Sequence, residues 1–210
     1  MRRRPGIFAV AALLPLFAGC AQLRCALQSD REYANGLVIR QDRLTENDYN
    51  RQYKFGNPMP DVRFITIHNT WNFGPAQNER DYLDRRRDRQ YLSFHFAVDE
   101  TEAIQILPLD VNGWHAGDGS AGDGNRRSIG IEICRSRCVG DDEILYRRAE
   151  ANGVRLAALL LHRYRLPAEA LRKHQDWNGK NCPHRILDEH RWEEFRAAVA
   201  ASLAELNRNE

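Results

Sequence analysis

Apolar and polar residues alternate through Leu92-Ser93-Phe94-His95-Phe96-Ala97-Val98, which predicts a strand with Leu92, Phe94, Phe96 and Val98 on one face and Ser93, His95 and Ala97 on the other. The same period runs through Ile129-Gly130-Ile131-Glu132-Ile133, so the isoleucines face one way and Gly130 and Glu132 the other. Short β-branched and aromatic runs at Val62 to His68 and Ile104 to Leu107 predict two more strands. Elsewhere the spacing becomes helical. Leu145, Ala149, Leu156 and Leu160 predict a helix from Asp142 to about Arg165, stopped by Pro167. Trp192, Phe195, Val199, Leu203 and Leu206 predict a second, starting from Asp188 as N-cap. A third is expected from Gln77 to Arg87. These stripes read as core, and together the elements predict an α/β fold with a mixed central sheet and helices packed on its apolar face.

Before the periodic region, Met1-Arg2-Arg3-Arg4 and an apolar run from Ile7 to Phe17 have the profile of an export signal. The run is short for a membrane helix, which needs roughly 20 apolar residues. Leu16-Phe17-Ala18-Gly19-Cys20 resembles a lipobox, although Phe17 stands where Leu, Val or Ile is usual. Residues 1–20 are therefore expected to be a lipoprotein signal with lipidation at Cys20; a plainly cleaved signal and a short uncleaved anchor are the alternatives. Ala21, where inner-membrane retention usually shows Asp, points to an exported, periplasmic protein anchored to an outer membrane if the source is Gram-negative. Residues 21–58 show weak periodicity and read as a tether and lead-in, and 59–208 as the domain.

Composition narrows the partners. The 210 residues, 42% hydrophobic and 29% charged, suffice for one domain with a buried core. The net charge of +2 is 31 basic minus 29 acidic residues, and loss of residues 1–19 would remove three arginines, leaving 28 minus 29. Such a balance has no polybasic signature, so nucleic acid is not an expected partner. A monomer is the default expectation. Of the five cysteines, Cys25, Cys134 and Cys138 have no assigned role, and their pairing stays open.

Chemistry concentrates at a strand end and a loop. His68 closes the run Phe64-Ile65-Thr66-Ile67-His68, and the turn-rich segment from Lys173 to His184 holds His174 and Cys182 eight positions apart. Two ligands from a loop and one from a strand end would make three protein bonds to zinc and leave a fourth position for water, as in catalytic zinc sites. His95, His115 and His184 compete as ligands, and each has an ordinary reading as an ordering or substrate-contacting residue. Trp71, Trp114 and Trp177 flank these segments and could stack on a ligand, Trp114 being the favoured one.

The ordered segments Ile65-Thr66-Ile67-His68-Asn69-Thr70, Ser93-Phe94-His95-Phe96, Trp114-His115-Ala116-Gly117-Asp118, Ser128-Ile129-Gly130-Ile131-Glu132 and Lys173-His174-Gln175-Asp176 with Cys182-Pro183-His184 resemble the type 2 N-acetylmuramoyl-L-alanine amidases, especially those of phage and Bacillus. The wider family includes the peptidoglycan recognition proteins, and the likeness spans about residues 60 to 192. It implies one zinc per chain held by His68, His174 and Cys182, with Glu132 as the acid/base and Lys180 assisting. In the related amidases the equivalent of His115 lines the groove, and substrate contacts are expected here from His95, Trp114, His115 and His184. The implied reaction is hydrolysis of the amide between N-acetylmuramic acid and L-alanine, in peptidoglycan or muropeptides. The family's wall-binding repeats do not follow the last predicted helix, so targeting is expected from the N-terminal anchor or the groove. The alternatives are a non-catalytic peptidoglycan-binding module, an amidase restricted to anhydro-muropeptides, and a zinc peptidase.

The chemistry agrees with that implication. Zinc lowers the pKa of bound water from 15.7 to about 7, and a carboxylate such as Glu132 shuttling the proton contributes about 10²–10⁴-fold. A cation such as Lys180 stabilises the developing oxyanion.

Overall fold

The computed structural model describes residues 31–209. The expected export signal, Cys20 and Cys25 lie outside them. From Arg31 on, the stretch read as tether and lead-in is part of the fold. Arg31–Ala34 (β1) and Leu37–Gln41 (β2) form a hairpin around Asn35-Gly36. Both turn residues have positive φ, 52° and 72°, which suits the Asn-Gly pair. Leu37 and Ile39 enter the core, and β2 pairs in parallel with Ala103–Gln105 (β5). A short helix, Asp48–Tyr53 (α1), follows. The adjoining Lys54, itself buried, donates to the carbonyls of Leu83 and Arg86 and so pins α1 to the end of Ala76–Arg85 (α2).

The sheet has seven strands in the order β1-β2-β5-β4-β6-β3-β7, where β3 is Phe64–Asn69, β4 Phe96–Val98, β6 Ser128–Ile133 and β7 Leu171–Lys173. Pairs β1/β2 and β4/β5 are antiparallel; β4, β6, β3 and β7 run parallel side by side. The short helix Asp123–Arg126 (α3) leads into β6. Ile65, Ile67, Ile129, Ile131 and Ile133 turn to one face, where Glu143–Arg163 (α4) covers them, with Trp192–Arg208 (α7) packed on α4. Each fully buried isoleucine side chain is worth about 1.5–3 kcal/mol, so the alternation fixes which face of β3 and β6 stays open.

Helices are not confined to that face. On the opposite side α2 packs Ala76 and Leu83 with Phe94, Ala97 and Ile104. The predicted strand from Leu92 is shorter than expected, because Ser93 and His95 spend their backbone groups on loops. Ser93 N donates to Trp114 O (3.1 Å) and His95 O accepts from Ile106 N (2.8 Å). Phe94 therefore joins Ala97 and not Phe96 and Val98. Asp188 is not the cap of the last helix. It ends the short helix His184–Asp188 (α6), and α7 begins after Arg191. Glu189, between them, accepts from Arg147, Arg185 and Arg191, while Arg191 also pairs with Glu150 on α4. Cys134, Cys138 and Cys182 are free and buried. Among the described residues no helix is long and apolar enough to cross a membrane.

Candidate metal centre

Three neighbouring parallel strands end at the same edge of the open face. His68 is the fifth residue of β3, and its register partner on β6 is Glu132. On the other side β7 pairs Lys173 with Ile67, and the next residue is His174, whose N–H donates to Ile67 O (3.2 Å). The carboxyl ends of parallel strands are where α/β sheets hold their ligands. Cys182 returns to this point from the loop after the short helix Gln175–Asn178 (α5), and Gln175 N donates to Cys182 O (3.0 Å).

His68, His174 and Cys182 are all buried, and their ligand atoms lie within 4.8 Å of one another. His68 Nδ1 is 3.0 Å from His174 Nδ1 and 3.7 Å from Cys182 Sγ. Tetrahedral zinc with ordinary bond lengths would separate two nitrogens by about 3.3 Å and a nitrogen from a sulfur by about 3.6 Å. The outer ring nitrogens are held from behind: His68 Nε2 meets His115 Nδ1 at 3.1 Å, and His174 Nε2 meets Asn178 Nδ2 at 3.1 Å. Metal-binding histidines are commonly oriented in this way.

The protonation states fit a cation. Burial holds His68 well below the ordinary imidazole range, with His115, His174 and Lys180 adding to the effect. His174 is held down to about 4 by burial and then by Lys180. Both rings are thus neutral, as ligands must be. Burial, and next Glu132, push the Cys182 thiol up to about 12, so this sulfur becomes a thiolate only with a positive partner beside it. Two imidazoles and a buried thiol are a borderline-soft set that suits zinc.

Glu132 faces the same point from β6, with one carboxylate oxygen 4.0 Å from His68 Nδ1 and the other buried without a hydrogen-bond partner among the described residues. Burial, then Glu79, push its pKa up to about 8 against the pull of Lys180. Glu132 and Lys180 share the wall of a groove of about 780 Å³ with Trp71, Asn72, Glu79 and Tyr82.

The expected substrate contacts fare differently. His95 is fully buried, and its nitrogens bond Val111 O (3.0 Å) and Gly130 N (3.0 Å), so it orders the backbone. His115 does not line the groove. It lies behind His68 and is braced by Ser128 O at 3.2 Å. Its ring occupies the space over Gly130, where a Cβ would come within 2.8 Å. His184 is buried with its ring 4.0 Å from that of Trp71, and the exposed member of the pair is Trp71. Trp177 is structural, donating to Thr66 Oγ1 at 3.0 Å. Trp114 lines an open groove, a separate one of about 770 Å³. Sequence reasoning did not single out Asn178, because an asparagine in a turn-rich loop carries no mark of the histidine it holds.

The family model for N-acetylmuramoyl-L-alanine amidase matches residues 57–185. The chain belongs to this amidase family. Among curated relatives, the N-acetylmuramoyl-L-alanine amidase XlyB of Bacillus subtilis (strain 168) is 49% identical over 167 residues, covering 80% of this chain and 50% of its own. The amidase CwlA of the same strain is 46% identical over 153 residues, covering 73% and 54%. The chain thus spans about half the length of the curated relatives it matches. Among solved structures, PlyL superposes with a TM-score of 0.69 at 42% identity, covering 77% of this chain and 96% of that one. The mixed sheet with its helices is therefore the amidase fold that the sequence predicted.

The relatives correct one group of expectations. They are Bacillus amidases whose names carry no lipoprotein or outer-membrane feature, and a periplasmic location suits a Gram-negative host. These relatives overturn the lipoprotein signal with its lipid anchor at Cys20, the membrane as a partner, and the periplasmic, outer-membrane location. A lipobox-like pentapeptide is only a short apolar sequence before a cysteine, and such sequences carry little information.

Proposed function

We propose that this amidase-family chain hydrolyses the amide between the lactyl group of N-acetylmuramic acid and L-alanine in peptidoglycan, using one zinc ion held by His68, His174 and Cys182. The observation that carries this reading is the convergence of those three side chains beside Glu132, on the ends of β6, β3 and β7 and the loop that follows. Bound there, zinc would supply a Lewis acid that polarises the carbonyl and lowers the pKa of water to about 7.

The chain's own groups do the rest. Glu132, with one buried and unpartnered oxygen on the wall of the groove, takes a proton from the attacking water and delivers it to the departing nitrogen of L-alanine. Lys180, on the same wall, places positive charge where the carbonyl oxygen becomes negative. His115 and Asn178 keep the two imidazoles aimed inward. Relatives named N-acetylmuramoyl-L-alanine amidases at 46% and 49% identity support the bond chosen.

The test is mass spectrometry of purified muropeptides incubated with the chain, with and without a zinc chelator. Chelator-sensitive release of free peptides beginning with L-alanine is the expected result. Intact muropeptides in the presence of metal-loaded protein would make the chain a recognition module instead.

A further inference from the structure

We propose that Asn69 is a positioning residue for the metal centre, a clamp between strand β3 and the turn at Cys182 that holds the sulfur in place beside His68. The inference rests on the zinc reading above and adds a residue outside the ligand set. Asn69 follows His68 directly and ends β3, so the two side chains leave opposite faces of the sheet. His68 looks to the open face, and Asn69 to the face covered by helices, where it is 7% exposed.

The sulfur is placed from the side of the chain that follows it. Asn178 to Asn181, just before Cys182, are all exposed. From Cys182 on the chain is buried, with Pro183 and His184 inward and Ile186 in the core cluster of Ile65 and Ile67. What fixes the start of α6 therefore fixes Cys182.

That start is short of a cap. Pro183 stands at the N-cap of α6 and offers no side-chain acceptor to the first N–H groups of the helix. Asn69 supplies one from β3. Its Oδ1 accepts from Arg185 N (3.1 Å), at the second helical position, which an N-cap side chain ordinarily serves. The other end of the amide is fixed as well, with Nδ2 donating to Ile133 O (3.4 Å), a carbonyl that also accepts from Thr70 N (3.0 Å). On the far side of the turn the Arg185 guanidinium donates to Cys138 O (3.0 Å) and to Glu143 (3.1 Å) at the start of α4.

Asn69 also reaches the sulfur directly, because its backbone N–H and that of His184 both serve Cys182 Sγ. It thus meets Cys182 twice, once at the thiol and once through the helix that follows. Being joined to His68 in the chain, it sets the separation of the two ligand atoms, 3.7 Å between His68 Nδ1 and Cys182 Sγ. Outer-shell partners of this kind orient the groups that bind a metal.

The probe is cobalt(II), loaded into the full chain in place of zinc, because a bound thiolate then gives a sulfur-to-metal charge-transfer absorption. Zinc affinity is read alongside by competition with a fluorescent indicator. Asn69→Leu, similar in size but without either polar group, should weaken zinc binding about 10–100-fold and diminish the sulfur band. Asn69→Asp, which keeps the acceptor for Arg185 N, should restore most of both. A folded Asn69→Leu chain with wild-type affinity and band, even one with a lowered Tm, would overturn the clamp. Should Asn69→Leu not fold, Asn69→Gln keeps both polar groups on a longer stem; a weakened band is expected there, and a wild-type band and affinity would overturn the proposal. A wild-type chain that binds cobalt with no sulfur band would refute the zinc reading at Cys182 itself, whereas a wild-type band that persists in the variants refutes the clamp alone.

Discussion

His68 and Glu132 are register partners on neighbouring parallel strands, and 4.0 Å separates a carboxylate oxygen of one from Nδ1 of the other. In a parallel pair, partners on one face stay side by side along the ladder, so the residue proposed to carry the proton and a ring proposed to bind metal are placed together by backbone pairing alone. Their roles still differ, and substitutions should separate them.

Glu132→Gln should keep the metal and lose turnover by about 10²–10⁴-fold, the usual contribution of a positioned acid/base. Metal content by mass spectrometry and kcat on muropeptides read the two effects independently. Near-normal turnover in this variant would refute the acid/base assignment.

Cys182→Ser should lose both metal and activity, since a hydroxyl is a far poorer zinc ligand than a thiolate. Chelator treatment of the wild type should reproduce the same loss, and added zinc should reverse it. A variant that still holds stoichiometric zinc would move the ligand role away from this sulfur.

His115→Ala touches no metal, yet it removes the group holding His68 Nε2 at 3.1 Å. Outer-shell losses of this kind cost about 10–100-fold in metal affinity. Competition with a fluorescent zinc indicator would measure it. Unchanged affinity in a folded variant would show that His68 is oriented by other groups.

Acid should act on a different part of the molecule. Although partial burial opposes it, hydrogen bonds from Arg147, Arg185 and Arg191 hold Glu189 down to about 2. A carboxylate with a lowered pKa stabilises the fold above its ordinary value of about 4.3 and loses that contribution as pH falls toward the folded value. The Tm difference between wild type and Glu189→Gln should therefore be full near neutrality and shrink between about pH 4 and pH 2. A difference independent of pH would mean that the arginines do not stabilise the charged form.

Much of this was readable from the chain. The isoleucine alternation of Ile129 to Ile133 set Glu132 on the face away from the core, and the helical stripe around Leu156 and Leu160 marked the covering helix. The hairpin at Asn35-Gly36 carried a usable turn signal that weak periodicity on either side concealed. Strand β7 carried none, because Leu171-Arg172-Lys173 is too short to show a period and exists through its pairing with β3. The surroundings of His95 and His115 were not readable for a related reason. A histidine's role depends on what meets its nitrogens, and those partners, Gly130 N, Val111 O and His68 Nε2, are brought up by other segments.

The short strand β7 has a further meaning. It is one of the two edge strands of the sheet, three residues long, and His174 follows it directly. Edges of sheets are where native proteins open first. Fraying of Leu171 to Lys173 would uncover Leu171 and carry His174 away from His68, so the site is more exposed to local opening than the central strands β3 and β6. Amide exchange at Lys173 and His174 would then follow the integrity of the site more closely than any global melting curve.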